Sequence, residues 1–202
     1  LSMNYIEGIS FRKKSLLDQQ VLKAKMNLEC RNAPFFYEHI PKNEQWRLYP
    51  HFKNSCAFLD IETTGLSPDR NRITTICVYD GNETKVFIRG QNLNDKELDS
   101  YLRRFKMLVT FNGAMFDLPF IQKHFPNVNL CIPHMDLRWT AKKIGLTGGL
   151  KALEKTIGLC REGDMDGMDG ADAVRLWKKW ENRGDREALD TLVRYNTEDV
   201  VN

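Results

Sequence analysis

The sequence lacks a long hydrophobic run, and this absence argues against a protein whose helices span a membrane. No apolar stretch approaches the roughly 20 residues that cross a bilayer. The first residues also lack the pattern of a secretion signal. Together the two absences predict a cytoplasmic protein.

Cysteine and histidine are also scarce, with five Cys and four His among 202 residues. The odd number of cysteines and the lack of a Cys-x-x-Cys pair argue against a disulfide framework and against a zinc knuckle. Cys56 and Cys77 lie in apolar segments and are expected to be small core residues. This usage is typical of a reducing compartment.

Neither sign of charge dominates, since 30 Lys and Arg against 27 Asp and Glu leave a net charge of +3. Such a small excess does not by itself predict a polyanionic partner. Short basic clusters do occur, and each is expected to be a solvated face unless the fold gathers several around one site. These clusters are Arg12-Lys13-Lys14, Arg103-Arg104, Lys142-Lys143 and Lys178-Lys179.

From residue 55 onward, apolar periodicity and turn signals predict a regular order of strands and helices. Strands are expected over 56–62, 72–79, 83–88, 107–111 and 131–135. Helices are expected over 94–105, 116–125, 137–144, 149–157, 171–181 and 186–201. Three strands in a meander, followed by strands alternating with helices, predict an α/β fold with a mixed sheet flanked by helices.

Residues 1–54 differ in character from residues 55–202. Apolar residues near helical spacing predict a helix over 15–29, whereas the prolines predict an extended segment over 33–37. Many aromatic residues follow in what reads as a loop. We therefore expect an N-terminal extension that packs on the domain formed by residues 55–202. It could lie across the cleft as a lid or brace the sheet, and its composition favours bracing.

The most informative stretch is the end of the first predicted strand, where Asp60 and Glu62 precede a Thr-Thr-Gly turn. Side chains alternate across a strand, so both carboxylates point to the same side. Two like charges side by side at the end of a buried strand repel each other and resist desolvation. The spacing therefore predicts half of a divalent-metal site.

Two later motifs carry further acids, and each has a plain structural interpretation when taken alone. Asp117 ends the stretch Thr-Phe-Asn-Gly-Ala-Met-Phe-Asp, and a carboxylate in the first turn of a helix is favoured by the helix dipole. Tyr195 and Asp199 lie four residues apart, so they share one face of the last helix. That pair could belong to a surface helix with a partly buried tyrosine.

Taken together, the three motifs resemble the DEDD superfamily of 3′–5′ exonucleases in residue type, order and spacing. Tyr-x-x-x-Asp marks its tyrosine subclass, while the sister subclass needs a histidine where this chain has Arg194. The flanking sequence looks most like the YprB-like branch of ribonuclease H-like proteins. The resemblance covers about residues 55–202 and rests on Asp60, Glu62, Asp117, Tyr195 and Asp199.

The resemblance implies a five-stranded ribonuclease H-like sheet and two ions, Mg²⁺ or Mn²⁺, held by carboxylates. By the same resemblance, Asp60 bridges both ions and Glu62 and Asp199 hold the ion that activates a water. Asp117 acts through the second ion, and Tyr195 positions the attacking water. The implied reaction removes nucleoside 5′-monophosphates from the 3′ end of single-stranded DNA or RNA.

Three further residues are candidates for substrate contacts, each with a structural alternative. By analogy with related enzymes, Thr63 contacts the 3′ end and Leu66 wedges against the last base, but Thr-Thr-Gly-Leu-Ser-Pro is also good turn chemistry. Asn112 either holds the backbone of the scissile nucleotide or caps the helix of Asp117.

Two rival functions stay open at this point. The same carboxylates could serve an endonuclease that acts on a structured or hybrid duplex, or the chain could be a nucleic-acid-binding module with weak or lost catalysis. The chain stops three residues after Asp199, which leads us to expect a further domain or partner beyond that end.

Overall fold

A computed structural model describes residues 8–159, 161 and 167–202, and it contains a five-stranded mixed sheet. The strands are β1 (Cys56–Thr63), β2 (Ile73–Tyr79), β3 (Thr84–Ile88), β4 (Met107–Thr110) and β5 (His134–Asp136). Their order across the sheet is β3-β2-β1-β4-β5. β1, β2 and β3 pair antiparallel, while β4 and β5 run parallel to β1. The predicted α/β fold with a mixed sheet flanked by helices is confirmed.

Nine helices surround the sheet in the described part of the chain. They are α1 (Phe11–Glu29), α2 (Ala33–His39), α3 (Tyr49–Phe52), α4 (Asp95–Leu102), α5 (Asp117–His124), α6 (Leu137–Lys143), α7 (Leu150–Ile157), α8 (Gly170–Arg183) and α9 (Arg186–Val201). Short 3-10 helices cover Lys42–Leu48 and Lys53–Ser55. Within the described ranges, no helix combines the length and apolarity needed to cross a bilayer.

The alternation of side chains along β1 gives the sheet two different faces. Leu59 and Ile61 join the main hydrophobic core, which α4 and α5 close with residues such as Phe120. Asp60 and Glu62 point to the other face, where α9 lies against β1 and β2. β1, β4 and β5 are parallel, so their carboxyl ends reach one edge of the sheet together.

The expected extended segment over 33–37 is wrong, because these residues belong to helix α2. Pro34 lies in the first turn of that helix, where a missing N–H leaves no intrahelical hydrogen bond unmade. The proline therefore begins the helix instead of preventing it. Phe36 of α2 and Phe52 share a buried cluster with Met107 of β4.

Helix α1 forms as predicted, although it begins four residues before the expected start, at Phe11. Its apolar side chains stay largely exposed, and none of its residues is fully buried. Only Ala24 and Leu28, near its C-terminal end, pack against the cluster of Phe36 and Phe52. Contact between the N-terminal segment and the sheet therefore comes from residues 24–52 rather than from the exposed apolar side chains of α1.

We predict that the buried aromatic residues of the N-terminal segment stabilise the whole domain. Phe52→Ala should lower the free energy of unfolding by about 3–5 kcal/mol, because it leaves a cavity between the segment and β4. Phe11→Ala is the matched control, since Phe11 is 87% exposed and should cost less than about 0.5 kcal/mol. Urea titration measures both. Equal values would mean that residues 1–54 do not share the cooperative core.

Candidate metal centre

Three carboxylates meet where the end of β1 faces α9. Ligand oxygens of Asp60, Glu62 and Asp199 lie within 4.8 Å of one another. β1 presents the first two on one side of the sheet, and α9 brings the third across that face. We call these three side chains the carboxylate cluster. The chain thus joins residues that are more than 130 positions apart in sequence.

Asn196 fixes α9 to the sheet beside the carboxylate cluster. Its side-chain amide donates to Asp60 Oδ2 over 2.7 Å, and its amide oxygen accepts from the Thr75 hydroxyl over 2.8 Å. Asn196 is fully buried, so both bonds act away from water, where an unmade hydrogen bond is costly. Sequence reasoning missed this residue, because an asparagine one position after Tyr195 carries no signal of burial.

Asp117 stands beside the carboxylate cluster at the start of α5. Its Oδ1 accepts the backbone N–H of Ile61 over 3.1 Å, which attaches α5 to β1 between the two strand carboxylates. Asp117 is buried, and burial raises its pKa to about 7 against the opposing effect of backbone N–H groups. Asp117 is thus close enough for its charge to act on Asp60 and Glu62, but it lies outside the group of three whose oxygens are within 4.8 Å of one another.

The carboxylate cluster carries more negative charge than its surroundings favour. Enclosure by the protein raises the pKa of Asp60 and Glu62, and the charges of Asp199 and Asp117 raise both further. Enclosure also raises the pKa of Asp199, which Arg161 opposes. Groups arranged in this way gain stability from a cation placed among them.

Arg161 supplies one internal cation to the site. Its guanidinium lies 2.5 Å from Asp199 and also binds both oxygens of Glu154 in α7, over 2.7 and 2.8 Å. Arg161 and Glu154 side chains are each only 4% exposed. No sequence pattern indicates this role, because Arg161 is one of 30 Lys and Arg residues and its two partners are far apart along the chain.

Lys151 supplies a second cation, and it defines how the Tyr195 hydroxyl can act. The Lys151 ammonium donates to the Tyr195 hydroxyl oxygen over 2.8 Å. An ammonium cannot accept a hydrogen bond, so the hydroxyl hydrogen of Tyr195 must point elsewhere. Burial raises the pKa of Tyr195, and the charges of Asp199 and Glu62 add to the effect. Tyr195 is therefore a neutral donor at neutral pH.

Asp136, the last residue of β5, stabilises the turn between β4 and α5. Asp136 accepts the backbone N–H groups of Asn112 and Ala114 over 2.8 and 3.0 Å. Asn112 has a φ of 64° and accepts Arg138 over 2.8 Å at its side-chain oxygen. Phe116 occupies the cap position of α5, so the alternative that Asn112 caps this helix is wrong.

The two other candidates for substrate contacts, Thr63 and Leu66, differ in how accessible their side chains are to a ligand. The Thr63 hydroxyl donates to the Gly65 carbonyl over 2.6 Å and accepts the N–H of the same residue over 3.3 Å, which favours the turn interpretation. Leu66 is 85% exposed just after β1 and is accessible to a ligand. Both substrate roles stay predictions.

The donor set fits a hard divalent cation. The described residues of the site offer carboxylate oxygens only, which suit Mg²⁺ or Mn²⁺, whereas zinc sites commonly use His or Cys. Arg161 divides its charge between Asp199 and Glu154, and Lys151 binds the tyrosine hydroxyl. Among the residues that the structure describes, none forms an ion pair with Asp60 or Glu62, although the charge of Lys151 lowers the pKa of Glu62.

A family model described as the RNase_H superfamily matches residues 57–202. No curated protein matches the chain in sequence.

Solved structures with similar folds include a DNA polymerase, an EXO domain and an exoribonuclease. A family B DNA polymerase from the archaeon Pyrobaculum calidifontis aligns with 72% of this chain and 23% of its own, at 14% identity and a TM-score of 0.56. The EXO domain of Aedes aegypti Nibbler aligns over 79% of both chains, at 12% identity and a TM-score of 0.52. Escherichia coli RNase D, an exoribonuclease involved in structured RNA processing, aligns with 79% of this chain and 39% of its own, at 16% identity and a TM-score of 0.51. At these identities the likeness concerns the fold, and the chain spans less than half the length of the polymerase and of RNase D.

The raised pKa values predict that the metal-free protein loses stability as the pH rises. Unfolded carboxyl groups release their protons near pH 4, whereas folded Asp117 keeps its proton up to about pH 7. Between these values the folded state binds more protons, so the free energy of unfolding falls with rising pH. Thermal melting in EDTA between about pH 5 and 8 measures the slope.

Asp60→Asn tests most directly whether repulsion within the carboxylate cluster lowers stability. It keeps the shape of the side chain and removes one charge from the carboxylate cluster, so at pH 8 we expect a melting temperature about 2–4 °C higher for each kcal/mol gained. Mg²⁺ or Mn²⁺ should stabilise the unmutated protein at pH 8 and stabilise the variant far less. A metal-free protein that gains stability between pH 5 and 8 would contradict the electrostatic account.

Proposed function

Because the matched family covers most of its length, the chain belongs to the RNase H superfamily, and we propose that it is a metal-dependent 3′–5′ exonuclease of single-stranded nucleic acid. The observation that carries the proposal is the carboxylate cluster, in which β1 and α9 hold three acids within 4.8 Å. A merely structural role does not account for it, because acids packed this closely destabilise the folded state when they have no cation.

Asp60, Glu62 and Asp199 would hold the divalent ions, with Asp117 beside them. When bound, two such ions supply Lewis acidity that lowers the pKa of a water and stabilises the leaving oxygen of an in-line displacement. Asp60 is the central residue of this arrangement, since Asn196 orients its carboxylate. Mg²⁺ and Mn²⁺ are the ions that the oxygen donors favour.

We assign Tyr195 the task of orienting the attacking water. Lys151 occupies one lone pair of its hydroxyl oxygen, which leaves the hydroxyl hydrogen to donate toward a water or a phosphate oxygen. A phenol with a raised pKa is a poor base at neutral pH, so orientation is its task. The spacing of Tyr195 and Asp199, with Arg194 where the sister subclass has histidine, supports the tyrosine subclass. The sequence that flanks the motifs supports the YprB-like branch.

Substrate contacts follow from what is accessible around the cluster. Exposed Leu66 would pack against the terminal base. The Thr63 hydroxyl is engaged by Gly65, so its contribution would come from its backbone. Asn112 and Arg138, joined side chain to side chain, would face the phosphate backbone of the scissile nucleotide.

The decisive experiment compares labelled single strands with a closed circle. With Mg²⁺ or Mn²⁺, DNA or RNA of about 12 nucleotides labelled at the 5′ end should shorten stepwise, and a strand labelled at the 3′ end should release a labelled mononucleotide at once. A circular strand should stay intact, and EDTA should stop the reaction. Cleavage of the circle would instead identify an endonuclease.

Substitution of a ligand separates a nuclease from a binding module. Asp199→Asn should lower kcat on the order of 10³-fold, because it removes an oxygen that holds the ion while leaving the surface that binds the strand. Asp190→Asn is the matched control on the same helix, with a side chain that is 63% exposed and paired to Arg186. A protein that binds strands and never cleaves them would be a binding module.

Tyr195→Phe tests the orienting role. We expect kcat to fall by about 10- to 100-fold, less than for full acid–base catalysis, while the metal-induced rise in melting temperature persists. Lys151→Met should act through the same hydroxyl, so the double variant should be little worse than the worse single one. Full activity of Tyr195→Phe, or additive losses in the double variant, would contradict this role.

A further inference from the structure

A second feature lies at the β5 edge of the sheet, outside the carboxylate cluster. It is a cavity of about 860 Å³ between the 3-10 helix Lys42–Leu48, α5 and α6. Sites that bind organic ligands in proteins measure roughly 300–1,000 Å³, so this one is large enough for more than a side chain. Its floor is apolar and includes Leu118, Leu130, Ile132 and Met135.

The wall of the cavity combines aromatic rings with positive charge. Trp46 and Trp139 line it together with Lys42, Lys142 and Lys143. The Lys142 ammonium lies 5.6 Å from the centre of the Trp139 ring, and the Lys143 ammonium lies 5.6 Å from that of Trp46. Trp139 is 47% exposed, so part of its side chain is accessible to a stacking partner.

The negative charge nearby does not cancel these lysines. Asp136 is the acid that lines the cavity, and its two oxygens accept the N–H groups of Asn112 and Ala114. Glu44 lies 3.8 Å from the Lys143 ammonium, and it also forms an ion pair with Arg47 over 2.6 Å. The wall therefore keeps a positive balance that suits an anion.

The cavity and the candidate metal centre adjoin the same turn, which connects β4 to α5. Ala114 lines the cavity, and Asp117 follows three residues later at the start of α5. Asp136 holds that turn from the cavity side through its two backbone bonds. A polymer whose end lies at the carboxylate cluster would reach the cavity by passing along this turn.

We propose that this cavity binds the part of a single-stranded nucleic acid that lies on the 5′ side of the nucleotide being removed. A base stacks on Trp139, and the lysines contact phosphates, which is how single strands are bound without sequence preference. This inference rests on the proposed exonuclease function, because it extends the substrate from that site. The N-terminal segment, which supplies Trp46 and Lys42, thereby becomes part of the substrate surface as well as a brace.

Binding without cleavage gives the first test. Fluorescence anisotropy in EDTA measures the affinity for labelled 12-nucleotide DNA and RNA strands as a function of salt. Trp139→Ala should weaken binding by about fivefold or more, and Trp139→Phe should restore most of it. Lys142→Ala with Lys143→Ala should reduce the slope of log K against log salt by about 1.4, that is about 0.7 for each phosphate contact. Lys178→Ala with Lys179→Ala, an equal charge change on exposed positions of α8, is the control.

Cleavage of strands of different length gives the second test. A dinucleotide reaches the carboxylate cluster and little of the cavity, so Trp139→Ala should lower kcat/KM for the 12-nucleotide strand at least about fivefold more than for the dinucleotide. If the unmutated protein cleaves and the cavity variants behave like the α8 control, the inference is wrong while the exonuclease stands. If the cavity variants lose affinity and the unmutated protein cleaves no strand with Mg²⁺ or Mn²⁺, the cavity is a binding site and the exonuclease proposal is wrong.

Discussion

Mutual repulsion of enclosed carboxylates is the constraint on which the site depends. Asp60, Glu62 and Asp199 lie within 4.8 Å of one another, an arrangement that raises their pKa values and costs stability in the absence of a cation. The surrounding fold offsets this cost in two ways. Asn196 binds one carboxylate from α9, and Arg161 binds another. A cation among these carboxylates would offset the repulsion further.

The topology of the sheet decides which segments can serve that cluster. Strand β1 is central, and β4 and β5 run parallel to it. Their carboxyl ends therefore gather the two strand acids, the turn that precedes Asp117, and Asp136 at one edge. Asp136 links this turn to the cavity beyond it. The carboxyl ends of these parallel strands thus lie beside both the candidate metal centre and the proposed binding site of the nucleic acid.

Much of the fold could be predicted because apolar periodicity and turn signals act locally. The sheet was recognisable from strand patterns, and Asp60 and Glu62 from their spacing on a strand. The extended segment around Pro34 was wrong because proline both starts helices and interrupts them, and the local pattern does not separate the two. The roles of Lys151 and Arg161 were invisible, since a lysine or arginine reads as a solvated charge until its partner is known.

The sequence by itself determined which residues are candidates for chemistry and in what order, because residue type and strand or helix spacing are properties of a short stretch of chain. Only the tertiary structure decided how those residues are held. It gave Tyr195 a cation on its hydroxyl and Asp199 a buried arginine. It also joined Trp46 of the N-terminal segment to Trp139 of α6 in one cavity. Such contacts depend on how distant segments pack, and packing is set by the whole core rather than by any local pattern.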